Sequence, residues 1–155
     1  MAGRSAGARE PLRAPHVLEY PYRRSVGPVL GRFFTGLRER RIEGIRAADG
    51  RVLVPPQEYD PHSGEALSEF VPVSDTGVVT SWTWVAKPRA GKHPLEHPFA
   101  WALIVLDGAD TPLLNAVDAG TEQRMQSGMR VRARWREETQ GDIRDIACFE
   151  RGSAA

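Results

Sequence analysis

The segment Gly77–Ala86, GVVTSWTWVA, alternates in strict period two, with Val79, Ser81, Thr83 and Val85 on one side and Val78, Thr80, Trp82 and Trp84 on the other. A helix would scatter these side chains around its axis, and their β-branched and aromatic character suits a pleated strand. The alternation defines two faces without saying which is buried. The rest of the chain repeats the theme. Lys87–Pro98 is a polar, proline-rich loop, and Phe99–Leu106 is almost wholly apolar, as a central strand would be. Asp107-Gly108 turns the chain into Thr111–Val117, and Thr121–Gln126 reads as a short helical turn. Met129–Arg136, MRVRARWR, alternates again, with Met129, Val131, Ala133 and Trp135 expected inward and Arg130, Arg132, Arg134 and Arg136 outward. Ile143–Phe149 supplies one more apolar run.

Upstream the pattern differs. Met1 to about Tyr22 is rich in Gly, Ala, Arg and Pro without periodicity, as a mobile arm would be. Val29, Leu30, Phe33, Phe34 and Leu37 then recur at helical spacing behind Pro28. Ile42–Ala47 and Arg51–Val54 flank Asp49-Gly50 as a hairpin that Pro55-Pro56 ends, Asp60–Gly64 (DPHSG) is a second tight turn, and Phe70–Val73 is a short strand. Five later strands with a helical turn between the third and fourth follow the order of an OB-fold barrel. The chain is therefore expected to be all-β: a flexible arm over 1–27, a helix over 28–41, a small β element over 42–74 and a five-stranded OB-fold barrel over 75–150.

A chain of 155 residues has room for one such domain and a modest appendage. Its formal charge of +1 gives no global attraction to nucleic acid or an anionic membrane. Lys87 and Lys92 are the only lysines among 21 basic residues, a bias that fits either codon usage or planar anion recognition by guanidinium. Cys148 lies in an apolar run, where a buried, inert thiol is expected. No apolar stretch is long enough for a membrane span and no hydrophobic segment follows the N-terminal arginines, so the expected compartment is the cytoplasm.

Catalytic signatures are missing: there is no GxSxG, no GxxxxGK[ST] and no GxGxxG after a strand. His93 and His97 have helical metal spacing, but Pro94 and Pro98 place them in a loop. Glu137-Glu138, Asp142 and Asp145 read as solvated carboxylates. Trp101 and Trp135 are expected in the core, whereas Trp82 and Trp84 occupy a barrel face on which an adenine ring or acyl chain could stack. The arginine row of Met129–Arg136 calls for anions opposite, carboxylates of a neighbouring strand above all, with phosphates as the alternative.

The order of helix, Phe33-Phe34-Thr35-Gly36-Leu37, double-turn element and barrel resembles the acyl-CoA-associated OB-fold proteins, family 35 of the domains of unknown function, over roughly Val29–Phe149. In that family a rubredoxin-like zinc ribbon precedes the barrel, reading CxxCG, then an arginine-containing strand ending in PP, then CPxCG. Here the frame reads Arg46-Ala47-Ala48-Asp49-Gly50, Arg51-Val52-Leu53-Val54-Pro55-Pro56 and Asp60-Pro61-His62-Ser63-Gly64. Its glycines and prolines remain, but the four metal positions hold Arg46, Asp49, Asp60 and Ser63, which make a poor zinc set. No zinc is therefore expected, and an ion pair from Arg46 to Asp49 or Asp60 is expected in its place; the surviving metal alternative is Asp49, Asp60 and His62. The resemblance implies a non-catalytic accessory subunit of a thiolase or retro-aldolase of the sterol-carrier-protein type, acting on acyl-CoA thioesters such as those of steroid side chains. It implies acyl-CoA as the ligand of that complex, contacted through the Trp82 and Trp84 face or through the ribbon tip around Arg46 and Arg51, with no tightly bound cofactor. Phe33, Phe34 and Leu37 are expected at the partner interface or, alternatively, against the chain's own domain. A single-stranded nucleic-acid-binding OB module is the rival reading, and the near-balanced charge counts against it.

Overall fold

The computed structural model describes residues 14–19 and 25–152. Of the arm expected over 1–27, residues 1–13 and 20–24 lie outside the described residues. Helix α1, Gly27–Arg38, starts with Pro28 in its first turn and buries Val29, Phe33, Gly36 and Leu37 on one stripe. It ends in a Schellman arrangement: Arg40 takes φ 56°, its N–H donates to the Leu37 carbonyl, and the Arg41 N–H donates to the Gly36 carbonyl.

Three short strands follow, β1 (Ile42–Arg46), β2 (Val52–Leu53) and β3 (Phe70–Val73), antiparallel in the order β2-β1-β3. The barrel comprises β4 (Thr76–Val85), β5 (Phe99–Leu106), β6 (Pro112–Asp118), β7 (Arg130–Trp135) and β8 (Ile146–Arg151), closed in the order β4-β5-β6-β8-β7. Every pairing is antiparallel except β6 with β8, where Val117 and Asp118 run parallel to Phe149 and Glu150. A 3-10 turn at Glu122–Arg124 separates β6 from β7, as the OB order requires. Gly77 sits where β4 crosses β5 at closest approach: a Cβ there would stand 2.4 Å from the Val105 carbonyl oxygen, so only glycine fits.

Two details depart from the sequence reading. Ile143–Asp145 is a 3-10 turn rather than strand, capped by Asp142, whose carboxylate accepts from the Arg144 N–H. Asp145, expected to be solvated, is 2% exposed and accepts from the N–H groups of Gln140, Gly141 and Asp142. The second departure is a bulge in β4 between Val79 and Ser81. The extra residue, Thr80, reverses the alternation, so fully buried Val79 and half-buried Trp82 and Trp84 all pack on the barrel core.

The β7 row behaves as expected. Val131 and Ala133 are buried, while Arg130 binds Asp107, Arg132 faces Asp75 and Arg134 binds Glu150. The core is continuous across the elements, because Phe33, Leu37, Ile42 and Val54 share one cluster with Ile104, Val131 and Phe149. The small sheet is also hydrogen-bonded to the barrel: the Val52 N–H donates to Asp110 Oδ2 at 2.8 Å and the Val54 N–H to Thr111 Oγ1 at 2.7 Å. Among the described residues no helix is long and apolar enough to cross a membrane.

Candidate functional site

The four positions of the zinc-ribbon frame hold the small sheet together by different chemistry. Asp60 is 4% exposed and bridges the two turns: its Oδ2 accepts from the Ala48 N–H at 2.9 Å, and its Oδ1 accepts from His62 and Ser63 at 2.8 and 2.9 Å. The N–H groups of Ser63, Ala48 and His62 hold its carboxyl down at about 2. Gly64 closes the second turn at φ 74°, a left-handed conformation open to glycine, and donates to the Asp60 carbonyl. One carboxylate therefore ties together the turns that a metal would otherwise link.

The ion pair expected from Arg46 to Asp49 or Asp60 is not formed. Arg46 Nε donates to Glu69 Oε1 at 2.8 Å and Nη1 to the Gly50 carbonyl, while Asp49 faces Arg51 at 2.7 Å. Arg46 cannot ligate a metal, and both oxygens of Asp60 are engaged, so these positions do not fit zinc. Asp49, Asp60 and His62 do not converge either; among the described residues the one cluster of metal-ligating side chains is Asp118, Cys148 and Glu150. That cluster is occupied from within, since Arg134 Nη1 meets Glu150 at 2.6 Å and His97 Nε2 meets Asp118 at 2.9 Å.

The helix residues expected at a partner interface are engaged elsewhere. Phe33 and Leu37 are 1% and 0% exposed in the chain's own core, because the helix is wedged between the small sheet and the barrel. Phe34 is half-buried against the same core. Of the residues expected to meet acyl-CoA, Arg46 and Arg51 are half-exposed and ion-paired, and Trp82 and Trp84 stand on the inner side of β4. Trp101, expected in the main core, instead packs outside the barrel, edge-on to Phe99 at 5.4 Å. None of the four main hollows among the described residues is lined by Trp82, Trp84, Arg46 or Arg51.

One of these hollows is a groove of about 580 Å³ on the outer face of β5, β6 and β8. Trp101, Leu114, Ile143 and Ile146 supply its apolar wall, with Leu114 58% exposed. Lys92 and His93 from the loop before β5, and Arg136 and Arg144 from the segment before β8, line its edges. Sequence reasoning passed over this surface because its residues come from separate segments. The available signal was Leu114 on the outward parity of its strand.

The fold and these sites are the setting for comparison with known proteins. The family described as the ChsH2 C-terminal OB-fold domain matches residues 70–136, from β3 to the end of β7. A crystal structure of a DUF35-family protein of unknown function from Sulfolobus solfataricus superposes with a TM-score of 0.56 at 25% identity, covering 70% of this chain and 77% of its own. The barrel of this chain is an OB fold that matches the ChsH2 C-terminal family, and the chain is similar to DUF35-family proteins. A second solved structure, the Ltp2-ChsH2(DUF35) aldolase, aligns over 83% of this chain and 98% of that one, with a TM-score of 0.60 and 22% identity, a likeness of fold. No curated protein matches.

Among the described residues the one hydroxyl that donates to a carboxylate is that of Thr76, to Asp107, whose carboxyl Arg130 and then Thr76 hold at about 2, and the one thiol, Cys148, lies beside Asp118 and Glu150. Burial pushes the Cys148 thiol up to about 11, and its Asp118 and Glu150 neighbours add to the effect while Arg134 opposes it, so it stays a neutral thiol near pH 7. His97 is hydrogen-bonded to Asp118, and His93 Nδ1 accepts from the Arg89 N–H at 2.7 Å. Neither histidine has a hydroxyl or thiol partner among the hydrogen bonds of the described residues.

Proposed function

We propose that this protein is a non-catalytic accessory subunit that binds a thiolase-like enzyme, a thiolase or retro-aldolase acting on acyl-CoA thioesters, and helps form its acyl-CoA site. The observation that carries this reading is the alignment with the ChsH2(DUF35) aldolase over 98% of that chain. A Cys148 thiol that stays neutral near pH 7 agrees with chemistry supplied by the enzyme. Steroid side chains are the acyl class the reading points to, and the small sheet is read as folding without zinc. The Trp82 and Trp84 face or the tip around Arg46 and Arg51 remains the proposed acyl-CoA contact, with the partner enzyme required to complete the pocket. The half-buried Phe34 is the helix residue that retains surface for the partner.

The test is complex formation. Tagged full-length protein co-expressed with a thiolase-like enzyme from its own genome should elute with that enzyme at fixed stoichiometry on size exclusion, and Phe34→Asp should weaken the association. Separate elution of the two at micromolar concentration contradicts the reading. The rival, single-stranded nucleic-acid binding, is disfavoured because Arg130, Arg132 and Arg134 already face carboxylates.

A further inference from the structure

The groove outside the barrel differs from the molecule's other charged surfaces in what its polar groups can do. Among the described residues neither Lys92 nor Arg136 forms an ion pair with a carboxylate, in contrast to Arg130, Arg132 and Arg134 on the adjoining strand. Arg136 is nevertheless held in place, its Nε donating to the Arg144 carbonyl at 2.6 Å and its N–H to the Asp145 carbonyl at 2.9 Å. Those bonds fix the stem, and among the described residues the two terminal nitrogens of the guanidinium make no hydrogen bond.

The other edge is also pre-set. The Lys92 and His93 N–H groups both donate to the Arg89 carbonyl, folding the loop into a compact turn. The Arg89 N–H donates to His93 Nδ1, so the neutral ring carries its proton on Nε2, as a donor. Asn115, 7% exposed, lines the groove with only its Oδ1 engaged, by the Ala116 N–H. Among the described residues its amide nitrogen makes no hydrogen bond. No carboxylate lines the groove; the nearest ones border a separate polar hollow beyond Arg136 and Arg144.

The set is thus an apolar wall bordered by two cations without a carboxylate partner among the described residues, Lys92 and Arg136, and by Arg144, which Asp142 holds. Burying Leu114 and the free face of Trp101 would remove apolar surface from water, which is favourable. The donors reward an anion and would leave a neutral or cationic head unpaired. The volume lies within the range of about 300–1,000 Å³ typical of small-molecule sites. We propose that this groove binds an amphipathic organic anion, its apolar part against Trp101 and Leu114 and its phosphate or carboxylate taken by Lys92 and Arg136. The inference concerns the isolated chain and does not rest on the accessory reading.

Full-length protein is titrated calorimetrically at low salt with dodecyl phosphate and dodecanoate, both below their micelle concentrations. Inorganic phosphate and dodecyltrimethylammonium serve as headgroup and tail controls. The expected result is saturable single-site binding of at least one amphipathic anion, with both controls weaker by about tenfold or more. The double variant Lys92→Gln/Arg136→Gln, and separately Leu114→Ser, should each weaken it about tenfold while keeping the wild-type thermal midpoint. Quenching of tryptophan fluorescence by the probe should be lost in Trp101→Phe. Absence of saturable binding, equal binding of the cationic detergent, or unchanged affinity in the double variant would overturn the proposal. So would a groove that ignores every probe while Leu114→Asp disrupts a protein complex, since the surface would then serve a protein partner.

Discussion

Around the small sheet, the groups that look made for a ligand already have partners: Arg46 holds Glu69, Arg51 holds Asp49, Asp60 gathers three amides, and Phe33 and Leu37 fill the core. Along the outer face of β5 and β6, Leu114 is largely exposed and Lys92 and Arg136 face no carboxylate partner among the described residues. Arginine and aromatic side chains occur in both regions, so composition does not distinguish them. What does is whether each polar or apolar group is satisfied within the chain. A satisfied group builds the fold; an unsatisfied one has free energy to gain from something outside it.

Substitutions can break that contrast, and the largest effect belongs to the helix. Phe33→Ala should destabilise the protein by about 3–5 kcal/mol in urea denaturation, because it opens a cavity where helix, small sheet and barrel meet. Leu114→Ala should change stability by no more than about 0.5 kcal/mol. Comparable losses for the two would erase the distinction between built-in and available surface.

Next comes Asp60. Asn in its place keeps one acceptor and turns a donor toward an N–H group, so Asp60→Asn should lower the melting temperature clearly more than Asp49→Asn. The acid limb sharpens this. The Asp60 carboxyl is held at about 2, below its ordinary 3.8, so its contribution is fully present above pH about 4 and is lost as pH falls toward 2. Asp107, drawn down to about 2 by Arg130 and then Thr76, adds a limb of the same sign. Asp60→Asn should therefore lessen the loss of melting temperature between pH about 4 and about 2, leaving the share of Asp107 and of Glu43, Asp49, Asp142 and Asp145, which are also held low. An unchanged limb would mean that Asp60 does not tie the turns together. Arg136→Gln sits at the small end, with little expected effect on stability.

The strands were legible because their side chains follow a period set by local geometry. Phe99–Leu106 is found as the apolar run reads, and the β7 parity separates Val131 and Ala133 from the paired arginines. The bulge at Thr80 was not, because it depends on how β4 meets Leu103 and Ile104 across the sheet, and one extra residue moved Trp82 and Trp84 to the inner side. Likewise, helical spacing marks Phe33 and Leu37 as one stripe but cannot say what covers it. The turns of the small sheet were plain from Asp49-Gly50 and Asp60–Gly64, yet the role of Asp60 rests on an amide at Ala48, in the other turn. The groove was least legible, since its wall and edges come from the loop before β5 and from three different strands.

We propose that this protein helps form the acyl-CoA site of a partner enzyme and leaves the chemistry to that enzyme. The most direct test is to measure acyl-CoA thioester turnover with the chain alone, the thiolase-like enzyme alone, and the two combined. No turnover by the chain alone and a combined rate above that of the enzyme by itself are expected. Turnover of a thioester by the isolated chain, or a combined rate equal to the enzyme's own, would contradict this role.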